Sequence, residues 1–267
     1  MHPRTDKFMH AARFVIRTGV ANRQVPEVAL VCNVPGGQVG DPGLLTHHEV
    51  VTLFHEFGHV LQSLFAGHRR WIGTGGNNVG QDFVEVPSKL LEEWAWDPAV
   101  LTRFARHYQT SEPIPDSLIQ RMRCASEFGK ALAVRQQMVN AKFSLSIYDR
   151  DPRALDTTRL LAEITNTYLP FPHVEGTHFQ TAFGHLDDYG SVYYAYMWSE
   201  VIAKDLFSRF DRGNLLERGV ARRYVDTILA PGSSKPPEAL LRDFLGRPFG
   251  LRAWETWLNQ SEEAPPT

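Results

Sequence analysis

The chain has 267 residues, 43% apolar and 22% charged, enough for a sizeable core, and a formal net charge of −2. That balance gives no electrostatic case for nucleic acid or an anionic membrane as a partner, and no run approaches the ~20 apolar residues that span a bilayer. Cys32 and Cys124 are the only cysteines and form no CxxC pair, so neither a disulfide framework nor a thiolate metal site is expected, and a reducing cytoplasm is. The opening MHPRTDKFMH lacks the apolar stretch of a secretory signal.

In chain order, residues 11–34 read as extended: RFVIR, a polar break at ANRQ, then VALVCNV closed by PGG. Their β-branched and aromatic content suits two or three strands of a small antiparallel sheet. Thr46 with Glu49 three positions on is a capping-box pattern, so a helix is expected over 46–65. The glycine-rich GTGGNNVG follows at 73–80. A second helix is expected over about 82–96, with Pro87 limiting its first turns and Pro98 helping to end it. Further helices are expected near 98–108, 116–148, 154–167, 190–210, 214–230 and 237–245. No repeat, low-complexity tract or long linker divides the chain. The reading is a mainly α fold of the α+β kind in one domain over 1–267: the sheet at about 11–34, a helical pair at about 46–97, and a helical remainder over 98–258.

Within the first helix stands HEFGH, residues 55–59. Positions i and i+4 share a helix face, so His55 and His59 can turn two imidazoles to one metal ion with Glu56 beside it. Catalytic zinc takes three protein ligands, and QDFVEVPSKLLEEWAW offers the third. Glu85 sits between two valines near the start of the return helix. Glu92, seven positions on, shares its face and is placed to orient a ligating histidine through the other ring nitrogen. Glu93 is turned away and reads as a solvated helix face.

The second constellation is FGHLDDYGSVYYAYMWSEV, residues 183–201. Tyr189, Tyr193 and Tyr196 fall at i, i+4 and i+7, with Tyr194 off that face. An aromatic stripe at this spacing is ordinarily core, yet three buried phenols need three hydrogen-bond partners that Phe or Leu would not. Phenol hydroxyls can instead stabilise the oxyanion formed when a carbonyl is attacked.

HEFGHVLQSLF followed by DFVEVPSKLLEEWAWDP resembles the zinc-binding core of the thimet oligopeptidase and oligopeptidase A family of metallopeptidases, gluzincins with HExxH and a glutamate as third ligand. HPRTDKFMHAARF, ALVCNVP and YVDTILAPGSSKPPEALLRDFLGR also resemble family segments, in family order. The resemblance implies a helical zincin-like catalytic domain holding one Zn²⁺ on His55, His59 and Glu85, with Glu56 as general base. It implies that His185, Tyr189, Tyr193 and Tyr196 lie near the scissile bond. Where the family has a glycine pair before its first tyrosine, this chain has Asp187 and Asp188. The loop with Gly73, Thr74 and Gly75 is expected either to edge the substrate backbone or to serve as a plain connector.

The implied activity is a zinc-dependent endopeptidase acting on short peptides. Two other readings are open: a peptide-binding or regulatory protein that keeps the zinc site but is inactive without a partner half, and a zinc carboxypeptidase. Family members are generally longer, with an N-terminal helical part walling a deep channel, and from these 267 residues no counterpart to that part is expected. The groove is therefore expected to be open, with a homodimer or a separate partner chain covering the surface that part would have packed against.

Overall fold

The extended segment forms a two-stranded antiparallel ribbon. β1 (Ala12–Arg17) pairs with β2 (Glu27–Val31), Ala12 opposite Val31 and Val15 opposite Val28, with an irregularity before the Arg17–Glu27 pair. The computed structural model describes residues 3–37, 39–75 and 79–260, and among them no third strand joins this sheet. The ribbon lies against the first helix.

That helix, α1 (His47–Phe65), begins as its sequence requires. The Thr46 N–H donates to Glu49 Oε2 at 2.7 Å and the Glu49 N–H to Thr46 Oγ1 at 3.3 Å, satisfying two amides that a helix start leaves without partners. The return helix, α2 (Val86–Glu92), starts later than expected. Pro87 lacks an N–H and so sits without cost in a first turn, while residues 81–85 form turns instead. A 3₁₀ turn, Glu93–Trp96, continues it. Asp97 Oδ1 then accepts the Val100 N–H at 3.0 Å and opens α3 (Pro98–Phe104).

The two helices cross at Gly58. A Cβ there would stand 2.5 Å from Ser88 Cα and 2.6 Å from Pro87 O, so only glycine permits this approach. The contact brings His59, next on α1, close to Glu85 at the start of α2.

The expected helix over 116–148 is two helices, α4 (Asp116–Glu127) and α5 (Lys130–Ser146), because Gly129 between them adopts φ +73°. After α6 (Thr157–Tyr168) comes the short α7 (His185–Asp188). The chain then turns through Ser191, φ +55°, so the helix expected from 190 starts only at α8 (Ala195–Phe207). α9 (Arg218–Tyr224) passes into a π-helical turn, Val225–Leu229, and α10 (Pro237–Leu245) follows. The sequence reading missed α11 (Arg252–Asn259), eight residues that pack on α8.

Two buried clusters hold these elements. One joins Phe83 and Leu90 of the α2 region to Leu206 of α8 and to Ile228, Leu240 and Phe244. The other joins Val139 and Phe143 of α5 to Leu160 and Leu161 of α6, with Phe183 and Tyr193. The segment 183–207 is thus anchored in both, and α2 packs on α8 within the first. No helix among the described residues is long and apolar enough to cross a membrane.

Candidate metal centre

One turn of α1 separates His55 from His59, and both turn Nε2 towards Glu85 Oε2, at 3.2 and 3.1 Å. The three donor groups lie within 4.8 Å of one another. Ligands bound at 2.0–2.2 Å to a shared tetrahedral centre stand about 3.4 Å apart, so this spacing fits one ion. Two imidazoles and a carboxylate form a donor set suited to zinc.

Glu85, at the residue before α2, is only 3% exposed. Ser88 Oγ donates to its Oε2 at 3.1 Å and Tyr189 donates its hydroxyl to Oε1 at 2.7 Å, so both oxygens are engaged. Burial acts to raise its pKa, but the hydrogen bonds from His55 and His59 prevail and hold it far below the usual carboxylate range. For His55 burial acts to lower the pKa, and the bonds to Glu85 and Glu92 outweigh it, raising the value to about 9. The imidazoles are held differently. Glu92 Oε1 meets His55 Nδ1 at 2.7 Å, whereas His59 Nδ1 is buried without a hydrogen-bond partner among the described residues.

Glu56 stands beside these ligands, half-buried, and among the described residues no hydrogen bond or ion pair ties down its carboxylate. A residue that sequence reasoning missed joins it. Burial lowers the pKa of the Arg13 guanidinium on β1, and Glu56, Glu85 and Tyr189 counter that shift electrostatically. Strand alternation gave no signal for it, since Arg13 reads as an ordinary outward charge. Burial raises the Cys32 thiol, with Glu56 adding to the effect.

The tyrosines converge, but not along one helix face. Tyr189 follows α7, Tyr193 lies in the turn and Tyr196 is in the first turn of α8. Exposed His185 is the hub: its ring centroid lies 6.2 Å from Tyr189, 5.2 Å from Tyr193 and 5.6 Å from Tyr196. Burial raises the pKa of Tyr189 and of Tyr196, and Glu85 raises both further, so both phenols keep their protons. Tyr193 is the buried member of the three. It is 8% exposed and its hydroxyl donates to Gln137 Oε1 at 3.0 Å, so it packs beneath His185 and Tyr196.

In the glycine loop, Gly76, Asn77 and Asn78 lie outside the described residues. Gly73 is exposed, and its carbonyl accepts from Ser233 Oγ at 3.3 Å. Thr74 is half-buried, and Gly75 is buried where a Cβ would come within 2.8 Å of Ala66 O. This end of the loop is docked on the protein. The reading of Glu93 as a solvated face is corrected: its carboxylate is paired with Lys204 of α8.

Residues 1–259 match the family model described as Peptidase family M3. Oligopeptidase A of Escherichia coli (strain K12) is 34% identical over 239 residues, 87% of this chain and 35% of that protein. Mitochondrial intermediate peptidase of Arabidopsis thaliana is 33% identical over 252 residues, 92% of this chain and 36% of that protein. Dipeptidyl carboxypeptidase of Escherichia coli (strain K12) is 35% identical over 241 residues, 87% and 35% of the two chains. This chain therefore spans about a third of the length of these curated relatives. Among solved structures, PZ peptidase A with inhibitor 2 is similar in fold, with a TM-score of 0.64 at 17% identity over 98% of this chain and 44% of that one.

Proposed function

The chain belongs to Peptidase family M3, and from that premise we propose that it is a zinc-dependent endopeptidase that hydrolyses short peptides. The observation that carries the reading is the convergence of His55, His59 and Glu85 beside an untethered Glu56. Zinc held by those three residues would supply a Lewis acid and lower the pKa of a water molecule towards neutrality.

The chain's own residues do the rest. Glu56 takes a proton from the water that attacks the peptide carbonyl and delivers it to the departing amine, since a free carboxylate can act as base and then as acid. Tyr196 and His185 present donors to the oxyanion that forms. Tyr189 holds Glu85 and borders the same space. Glu92 fixes the ring of His55 and its tautomer.

A second reading, release of dipeptides from a free C-terminus, is favoured by two observations. One is the likeness to dipeptidyl carboxypeptidase. The other is Arg13, a cation near Glu56 and Glu85 that could take a terminal carboxylate. The deciding experiment offers zinc-loaded protein two forms of one short peptide, blocked at both ends or free at the C-terminus, and reads products by mass spectrometry. Internal cuts in the blocked form support the endopeptidase. Dipeptides from the free form alone support the second reading, and Arg13→Ala should then abolish them. No cleavage by a folded, zinc-loaded chain would overturn both and favour a binding role.

A further inference from the structure

Lys89 lies on α2 one turn before Glu92. Its Nζ stands 3.0 Å from Glu92 Oε1 and 3.3 Å from Oε2, and 3.5 Å from Glu200 Oε2. Glu92 Oε1 is also the oxygen that meets His55 Nδ1. Glu200 belongs to α8, one turn beyond Tyr196, and its other oxygen is taken by Lys204 at 3.1 Å. One ammonium group therefore joins the carboxylate that holds a histidine of the metal centre to the helix that carries a tyrosine beside it.

Lys89, Glu92 and Glu200 are mostly withdrawn from solvent, with side chains 23%, 20% and 13% exposed. Charges so placed persist when paired, and such pairs often contribute more to geometry than to net stability. The plain alternative is that these pairs only fasten α2 to α8. The detail that favours more is the shared oxygen. A carboxylate bonded to His55 alone is free to rotate about its terminal torsion, whereas Lys89 within reach of both oxygens fixes its plane.

We propose that Lys89 is a positioning residue for the metal centre: it locks Glu92 against His55 Nδ1 and, through Glu200, holds α8 in register with α2. This inference rests on the reading of His55, His59 and Glu85 as metal ligands.

The test measures Zn²⁺ affinity of the full chain by competition with a chromogenic chelator, with melting temperature recorded alongside. Loss of a residue that orients a ligand typically costs 10- to 100-fold in metal affinity, and Lys89→Met, acting through Glu92, should cost about tenfold. Lys89→Arg, which keeps the charge and its reach, should recover most of that loss. Lys204→Met breaks the pairs to Glu93 and Glu200 but leaves Glu92 untouched. It should lower the melting temperature and keep wild-type affinity. In Glu92→Gln protein, adding Lys89→Met should weaken zinc no further, because the two act in series.

Wild-type affinity in Lys89→Met would overturn the inference. So would an equal loss in Lys204→Met, which would make the effect one of stability. Should Lys89→Met fail to fold, Lys89→Gln is read in the same way. A wild-type chain that binds no zinc would instead overturn the ligand assignment, and the role of Lys89 with it.

Discussion

Tyr189 donates its hydroxyl to Glu85 Oε1 at 2.7 Å, while Ser88 and the two imidazoles meet the other oxygen of that carboxylate. The tyrosine thus reaches across from the second sequence motif and touches the carboxylate that meets both histidines of the first. Tyr189→Phe removes this bond and keeps the ring. Zinc affinity should fall about tenfold, the lower end for a lost ligand-orienting partner. Equilibrium competition for zinc checks it, and unchanged affinity would show that the contact does not support the ligand.

Glu56→Gln separates chemistry from metal binding. Glu56 is not among the three converging donors, so the variant should bind zinc as the wild type does. Its turnover of a short peptide should fall by about 10²- to 10⁴-fold, the usual worth of a positioned acid–base group. Metal content and cleavage rate measured on the same sample decide the matter, and near-normal turnover would sink the role.

Tyr193→Phe and Tyr196→Phe should behave differently although their rings lie 5.1 Å apart. The Tyr193 hydroxyl is bonded to Gln137, so its loss should cost about 1 kcal/mol of stability and leave kcat nearly unchanged. Tyr196→Phe should lower kcat by about 10²-fold, with little change in KM, as expected for a donor used in the transition state.

Zinc should stabilise the folded chain, because the three donors come together only in the native state. At free zinc one hundred times its dissociation constant the gain is about 2.7 kcal/mol, which a chelator should reverse as a lowered melting temperature. Glu85→Ala should melt at the same temperature with or without the chelator.

Glu200 gives the acid limb of stability a specific origin. Burial acts to raise its pKa, but Lys204 and Lys89 prevail and hold it below its ordinary value of 4.5. A carboxylate with a depressed folded pKa adds stability above its unfolded pKa and loses it as pH falls through the folded value. Wild type should therefore lose stability as pH drops below about 4.5, and Glu200→Gln should lose less over that range. At neutral pH the variant should be weaker by about 1–3 kcal/mol, since Lys89 and Lys204 keep their other partners. Chemical denaturation across the pH range measures both.

Much of the centre was legible because its residues sit at fixed helical offsets. The i, i+4 histidines, the capping box at Thr46 and the Glu85–Glu92 face all follow from local periodicity, and each is realised in the fold. What the sequence hid depended on tertiary placement. Arg13 reads as an outward strand residue until β1 is laid against α1. Glu93 reads as solvated until Lys204 arrives from α8. The tyrosine stripe suggested a continuous helix, but the left-handed Ser191 breaks it, and the rings meet through a turn. Gly129 likewise divides a helix that propensity alone would continue. α11 was missed although Trp254, Trp257 and Leu258 give it an apolar face, because it is only eight residues long, follows Pro248 and Gly250, and is held by its packing on α8.

The crossing at Gly58 has a bearing on how such a chain can change over time. The atoms that would meet a side chain at position 58 are the Ser88 Cα, the Ser88 nitrogen and the Pro87 carbonyl oxygen, all main chain. Backbone cannot repack, so the gap between His59 and Glu85 does not depend on which apolar residues fill the surrounding core. Substitutions there can accumulate while the ligand spacing stays the same. That tolerance stops at position 58 itself, where a single methyl group would force the two helices apart and open the metal centre.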